Sequence, residues 1–253
     1  MTSLPPFELF SSSHLWSIVV TLAVVVAVPL VARHRLPARE AGALALAIAV
    51  GLVAYRTGWT AYRVIGHGDP LRNVVPLGIC PLLFYLCAWV LWKRDQAVYE
   101  VSYYWALSGT LQSLITPDVT RGFPAGEYIL FFASHGVLIL AVLYATFVFD
   151  MRPRWSSIPR VTLITALYAA VLIPINTLLG TNHMYVNAKP VNASLLDYLG
   201  PWPWYNLTGI GLALVLFSLA YVPFFIASRW DLPTLLPVRR SAACEEAAAA
   251  SRR

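Results

Sequence analysis

Seven apolar stretches dominate the chain, at about residues 15–32, 41–62, 76–92, 99–116, 127–149, 159–180 and 204–227. Most approach the length of about 20 residues that a helix needs to cross the hydrocarbon core of a bilayer. Inside that core every backbone N–H and C=O must be paired within the protein, which favours helix for stretches this long. Charged residues make up 12% of the 253, about half the share found in a water-soluble domain. They are bunched between the apolar stretches. The sequence therefore predicts an all-α, polytopic membrane bundle of about seven transmembrane helices. The first and third stretches are short, and a short stretch also fits a re-entrant segment, which would leave six crossings.

The basic residues set the direction of threading. Arg33, Arg35 and Arg39 lie between the first two stretches, Lys93 and Arg94 between the third and fourth, and Arg152, Arg154 and Arg160 between the fifth and sixth. Counting the arginines from Arg229 onward, thirteen Lys and Arg fall on one side and five on the other. The N-terminus is predicted outside and the C-terminus inside. This asymmetry accounts for the net charge of +6 and gives no reason to expect a nucleic-acid partner. Residues 1–228 contain no repeat or linker and read as one bundle domain. Residues 229–253, ending SAACEEAAAASRR, read as a disordered cytoplasmic tail. Met1–Ser13 has no basic residue, and no small-residue cleavage site comes after it, so it does not read as a cleaved signal. Ala-, Val- and Arg-rich usage points to a bacterial plasma membrane, with membrane lipids as partners and the oligomeric state left open. Cys80, Cys87 and Cys244 do not make a disulfide framework.

The unusual polar segments all belong to the predicted outer side. They are Asn73–Cys80 (NVVPLGIC), Gln112–Asp118 (QSLITPD), Phe131–Gly136 (FFASHG), Asn176–Tyr185 (NTLLGTNHMY) and Ser194–Tyr205 (SLLDYLGPWPWY). Polar groups at membrane depth normally face a bundle interior or a cavity. Five such segments at one end predict a polar pocket beneath the outer leaflet, against the alternative of scattered interhelical hydrogen bonds. Trp105, Ser108, Gly109, Gln112 and Thr116 recur every three or four residues and form one stripe of the fourth helix. Glu127, Phe131 and His135 share a face of the fifth. Arg56, in the outer half of the second, needs a partner, either a carboxylate (Asp118, Glu127 or Asp197) or a lipid phosphate. Asp197, three residues after Ser194, has the spacing of a capped turn that Gly200 then stops. Trp202, Trp204 and Tyr205 suit the membrane interface. Asn192-Ala193-Ser194 also matches a glycosylation triplet, a frequent chance pattern.

In order along the chain, from Asn73 to Tyr205, the Pro-Leu sequence before Cys80, Gln112 with Thr-Pro-Asp, Phe-Phe-x-x-His-Gly, the Arg-Pro of the next inner loop, Thr-Asn-x-Met-Tyr with Lys-Pro, and Ser-Leu-Leu-Asp with Gly-Pro-Trp-Pro-Trp-Tyr resemble the transmembrane protein 164 family and its bacterial relatives. The resemblance implies a phospholipid acyltransferase with a cysteine nucleophile. Carried over residue by residue, the nucleophile falls on Cys80 and the base on His135. The chain departs from the family's pattern at His183, where an aromatic is expected, and at Pro81, directly after the nucleophile.

The residues are consistent with that chemistry. Cys80 lies near the start of the third helix, where backbone dipoles favour a thiolate. Pro81 is expected at the first helical position, which would make Cys80 the cap. Cysteine beside histidine is the minimal arrangement for covalent acyl transfer. Cys87, about 10 Å deeper on the same helix, reads as packing. On the substrate side stand Arg56, Asn73, Gln112, Thr116, Asp118, Asn176, Asn182, His183, Lys189, Asp197, Trp202 and Trp204, with Arg56, Arg72 or Lys189 holding a phosphate. The same pocket would also serve a transporter or a lipid-binding protein without chemistry, although no repeat is visible. Both lysines, Lys93 and Lys189, fall in loops, which excludes a retinal-type Schiff base within the bundle. A metal site on His135, His183, Asp118 and Asp197 lacks a ligand pair at fixed helical spacing. The reading needs neither metal nor cofactor.

Overall fold

Small residues at helical spacing determine how closely these helices approach. The computed structural model describes residues 5–190 and 194–229. Asn192 and Ala193 of the glycosylation triplet, Cys244 and the tail from residue 230 lie outside the described residues. The described chain is helical throughout its apolar stretches, in the order α1 (Ser12–Arg35), α2 (Ala38–Ala61, prolonged by a π-helical turn, Tyr62–Gly66), α3 (Leu71–Val74), α4 (Ile79–Lys93), α5 (Gln96–Trp105), α6 (Leu111–Ile115), α7 (Gly126–Val148), α8 (Ser157–Leu179) and α9 (Trp204–Arg229). A π-helical turn at Ala106–Thr110 joins α5 to α6, so Gln96–Ile115 is one rod.

Among the described residues, five helices are long and apolar enough to cross a membrane: α1, α2 with its extension, α7, α8 and α9. The 15-residue α4 is apolar but shorter. Together with the α5–α6 rod it stands in the same bundle. The expected all-α membrane bundle is therefore found, and the chain is a multi-pass membrane protein.

The central element is α7, with twelve buried residues. On one side it meets α1 at Gly136, where an added Cβ would lie 2.8 Å from Thr21 Cγ2. Only glycine allows this approach, the packing device of closely crossing membrane helices. On α2, Ala41, Ala45, Ala49 and Leu52 are buried in one row, and α4 packs against that helix. Tyr144 of α7 donates to the Ala41 carbonyl at 2.7 Å, closing the centre.

At the end carrying Arg33, Lys93 and Arg160, polar groups are matched within the protein. Glu100 is fully buried and pairs with Arg160, with Arg154 at 3.9 Å. Gln96 donates to Glu100 at 3.0 Å and to the Arg152 carbonyl at 2.7 Å. Arg33 pairs with Asp150 at 2.8 Å. Charge patterning alone assigns these arginines an orienting role, and the fold also makes them partners of buried carboxyl groups. At the opposite, loop-rich end the N-terminal segment is pinned to the 120–122 loop, Phe7 donating to Thr120 at 3.1 Å and Gly122 to Pro5 at 2.9 Å. Buried His14 accepts from the Phe10 N–H through Nδ1 at 3.0 Å. Its Nε2 therefore carries the proton given to the Leu114 carbonyl, at 3.0 Å.

The α1–α7 contact predicts that Gly136→Ala costs about 1–3 kcal/mol, the usual range for overpacking. Thermal unfolding of the purified protein in detergent should show a lowered midpoint, and Thr21→Ser, which removes Cγ2, should restore part of the loss.

Candidate functional site

The loop-rich end encloses a cavity of about 630 Å³, within the usual size of ligand pockets. Its walls come from α2, the approach to α4, the π turn with α6, α7, α8, two loops and α9. The predicted stripe of the α5–α6 rod lies along it: Trp105, Ser108, Gly109, Gln112 and Thr116 all line the cavity. Gln112 and Thr116 are joined at 3.2 Å.

Cys80 and His135 meet here. The thiol and the imidazole lie close enough to interact electrostatically, with the Ser113 hydroxyl also nearby. Thr110 Oγ1 is 3.7 Å from Sγ. His135 Nδ1 lies 2.8 Å from the Phe131 carbonyl one turn earlier. A carbonyl only accepts, so Nδ1 carries the proton and Nε2 is the ring's acceptor. The Phe131 ring stacks on the imidazole with centroids 4.1 Å apart, fixing its plane. Of the predicted face on α7, Phe131 and His135 line the cavity. Glu127 does not; it is exposed and accepts from Thr120 at 3.2 Å.

The start of α4 differs from expectation. Gly78 in extended backbone is the cap residue, and its carbonyl accepts from Leu82 at 3.0 Å. Cys80 is therefore the second helical residue and Pro81 the third. The physical reason is that any of the first-turn positions tolerates proline, since their N–H groups have no intrahelical acceptor. The N–H groups of Ile79 and Cys80 are left at the open end of the helix, next to the thiol. Cys87 is buried in the core and lies off the cavity.

Arg56 does not meet a carboxylate. It donates to the Val74 carbonyl at 2.7 Å, because the last residue of α3 lies against it. Its Nε is buried without a partner, and the residue lines the cavity. Ser194 Oγ, on the same lining, is buried with no hydrogen-bond partner. Arg63 also lines the cavity but is paired with Asp69.

The remaining predicted residues divide in two. Asn73, Asp118, Asn182 and His183 line the cavity; Asn176, Lys189, Asp197, Trp202 and Trp204 do not. Asn176 is buried and ties down the loop after α8. It donates to the His183 carbonyl at 3.0 Å and to Asn187 at 2.9 Å, and accepts from Thr181 at 3.0 Å and the His183 N–H at 2.9 Å. Asn182 caps the same loop through the N–H groups of Asn187 and Ala188, both at 3.2 Å. His183 Nε2 donates to the Arg72 carbonyl at 2.9 Å, linking this loop to α3. Asp197 accepts from the Ser194 N–H at 2.8 Å and Gly200 ends the turn at φ 92°, as the spacing predicted. Lys189 reaches the Asp197 carbonyl at 3.3 Å. Trp202 and Trp204 are exposed, as interface anchors would be.

Sequence reasoning leaves Tyr185, Thr110 and Ser113 out of the site. Tyr185 sits at φ 56° after Met184 at φ 64°, two left-handed residues in a row at the cavity wall. Its hydroxyl donates to Asp118 at 2.8 Å. Burial and then the Asp118 carboxylate raise this phenol above the ordinary tyrosine range. Ser113, four residues after Gly109, shares the face of the predicted stripe and could have been found by the same spacing, whereas Thr110 lies between the stripe positions, at the end of the π turn.

A model of the TMEM164 family matches residues 9–221. The chain belongs to the TMEM164 family. It is a membrane protein of that family, and the matched span includes every described residue of the cavity wall. No curated protein and no solved structure matches the chain.

The Asn176 knot predicts that Asn176→Asp, equal in shape but without the Nδ2 donors, destabilises by about 3 kcal/mol through unmatched buried acceptors. Limited proteolysis should then cut within residues 182–188, where the unaltered TMEM164 member resists.

Proposed function

We propose that this TMEM164-family member is a membrane acyltransferase or lipid acyl hydrolase, with Cys80 as nucleophile and His135 as base. The observation that carries the reading is the meeting of the thiol and an oriented imidazole inside a cavity with unsatisfied polar groups. His135 Nε2 takes the thiol proton as Sγ attacks the ester carbonyl carbon of a phospholipid. The C–S bond forms, and the carbonyl electrons pass to oxygen, which the N–H groups of Ile79 and Cys80 stabilise. The ester C–O bond then breaks, and the lysophospholipid leaves with the proton from the imidazolium. A hydroxyl of a second lysolipid, or water, attacks the thioester with His135 again as base, which releases the thiol. Thr110 and Ser113 position the sulfur. Arg56, with its open Nε, is assigned to the lipid phosphate, and Asn73, Gln112, Asp118, Asn182 and His183 to the polar groups around it.

The seven helical rods are read as seven crossings of one bundle, with the N-terminus outside and the cavity opening beneath the outer leaflet of a bacterial plasma membrane. The arginine-rich end supports this orientation.

The nucleophile is tested by labelling the detergent-solubilised protein with a thiol-acylating lipid analogue and locating the adduct by mass. Cys80→Ala should abolish labelling, His135→Ala should slow it by about 10²-fold, and Cys87→Ala should leave it unchanged. Equal labelling at Cys80 and Cys87 overturns the reading. The orientation is tested separately. A C-terminal green fluorescent protein fusion should fluoresce in a bacterial host, and a C-terminal alkaline phosphatase fusion should be inactive; the reverse pattern puts the C-terminus outside.

A further inference from the structure

The cavity continues away from the polar loops along one face of α9, through Gly209, Ile210, Leu212, Ala213 and Leu216, as far as Phe217. These positions recur at three- and four-residue intervals, so they form one stripe. The opposite face, with Leu207, Leu214, Val215 and Leu219, is exposed, as a lipid-facing surface is. Of the 26 residues of α9, only Tyr205, Phe217 and Phe224 are buried. The helix is fastened at its start and again beyond its middle. Tyr205 donates to the Tyr185 carbonyl at 2.6 Å and Asn206 to that of Val186 at 3.0 Å. Toward the other end Tyr103 donates to the Ala220 carbonyl at 2.9 Å, and Phe217 packs on Tyr104 with centroids 5.2 Å apart. Between these attachments the small residues Gly209 and Ala213 leave room beside the core.

The chemistry of this arm is apolar. The six α9 residues that line it carry no polar side chain. Across from them, Trp105 Nε1 donates to Thr165 Oγ1 at 2.8 Å, and that hydroxyl donates to the Val161 carbonyl at 2.8 Å. Both polar groups are thus matched inside the wall, and only their apolar surface faces the lumen. Arg56 Nε and the Ser194 hydroxyl, in contrast, each keep an unused donor. From Gly209 to Phe217 the arm runs about 12 Å, eight residues at 1.5 Å each, and it is floored by the Phe217–Tyr104 pair.

We propose that this arm is the acyl-chain subsite, and that Gly209 and Ala213 determine how long a chain it admits. The assignment rests on the acyl-transfer reading for its substrate class. An occupant reacting at Cys80 must place its chain in the part of the cavity where no polar group is left unmatched, and a bilayer supplies long alkyl chains as the abundant ligand of that kind. A Cβ at Gly209 would meet its nearest neighbour, Leu199 Cδ1, at 3.9 Å, ordinary contact, so a larger side chain is accommodated at this cavity-lining position without backbone strain.

Two measurements test the subsite. In the first, N-alkylmaleimides with methyl, octyl or hexadecyl chains react with the detergent-solubilised protein, and the adduct at Cys80 is quantified. The ratio of hexadecyl to methyl labelling should fall about tenfold or more in Gly209→Leu and in Ala213→Phe, as a filled apolar pocket discriminates. An unchanged ratio in both variants overturns the proposal. The second measurement does not depend on the thiol. Lysophosphatidylcholine carrying a diazirine at its chain end is photolysed with Cys80→Ala. Adducts on the 209–217 stripe or on Trp105 support the subsite, and adducts confined to Leu207, Leu214, Val215 and Leu219 overturn it. Failure of every maleimide to label Cys80 in the unaltered protein would remove the nucleophile while leaving the photolysis result to decide the subsite.

Discussion

A polar group held inside a membrane protein must find its partner within the protein, because hydrocarbon offers none. This chain meets that requirement differently at its two ends. Around Glu100, the pairs with Arg160 and Arg154 and the bond from Gln96 leave a buried carboxyl group fully matched. Arg33 and Asp150 match each other in the same region. At the loop-rich end, Asn176, Asn182 and Tyr185 bind loops to helices just as fully, but Arg56 Nε and the Ser194 hydroxyl are buried with donors that bind nothing. Buried unmatched groups are rare in native proteins and call for an explanation. Both of these lie on one cavity, where a polar ligand would explain them, while a third such group among the described residues, Thr60 Oγ1, lies off it.

The cavity itself is a consequence of packing. Gly136 lets α1 close on α7, and the alanine row of α2 faces α4, so one half of the bundle is dense. The other half cannot close in the same way. The π turn at Ala106–Thr110 widens the α5–α6 rod where it passes Cys80, and α9, though it packs against α8 and that turn, buries only three of its residues. A π turn is tolerated where its displaced groups gain a use, and here it brings Thr110 to the sulfur. Thus the tight half holds His135 in place through Phe131, while the loose half supplies volume.

Much of this is legible in the sequence, because the strongest signals are periodic or local. Apolar runs locate the helices, the three-to-four spacing of Trp105, Ser108, Gly109, Gln112 and Thr116 locates one wall, and Ser194 with Asp197 locates a capped turn. What escapes is set by tertiary context. Arg56 reads as the partner of a carboxylate, but the nearest acceptor is a backbone carbonyl supplied by the last residue of α3. Asn176 and Asn182 look alike in sequence, yet one ties the loop from behind the wall and the other lines the cavity. Pro81 marks a first turn, but proline does not say which residue of that turn it occupies. Tyr185 carries only the weak signal of its motif, since a left-handed backbone at a tyrosine cannot be read from composition.

The closed end also bears on the choice between chemistry and passage. For a solute to cross the bundle, the Phe217–Tyr104 and Phe224–Tyr103 contacts would have to part, and the matched charges around Glu100 would have to separate in a medium of low dielectric. Breaking a buried charge pair leaves an uncompensated ion, a cost of several kcal/mol. Acyl transfer asks for none of this. In the proposed reaction Cys80 and His135 lie on the same cavity wall as the loops, and the chain of a substrate needs an apolar arm with a floor. A cavity sealed at one end by aromatic packing and ion pairs is therefore better suited to a reaction at the membrane surface than to conduction through it.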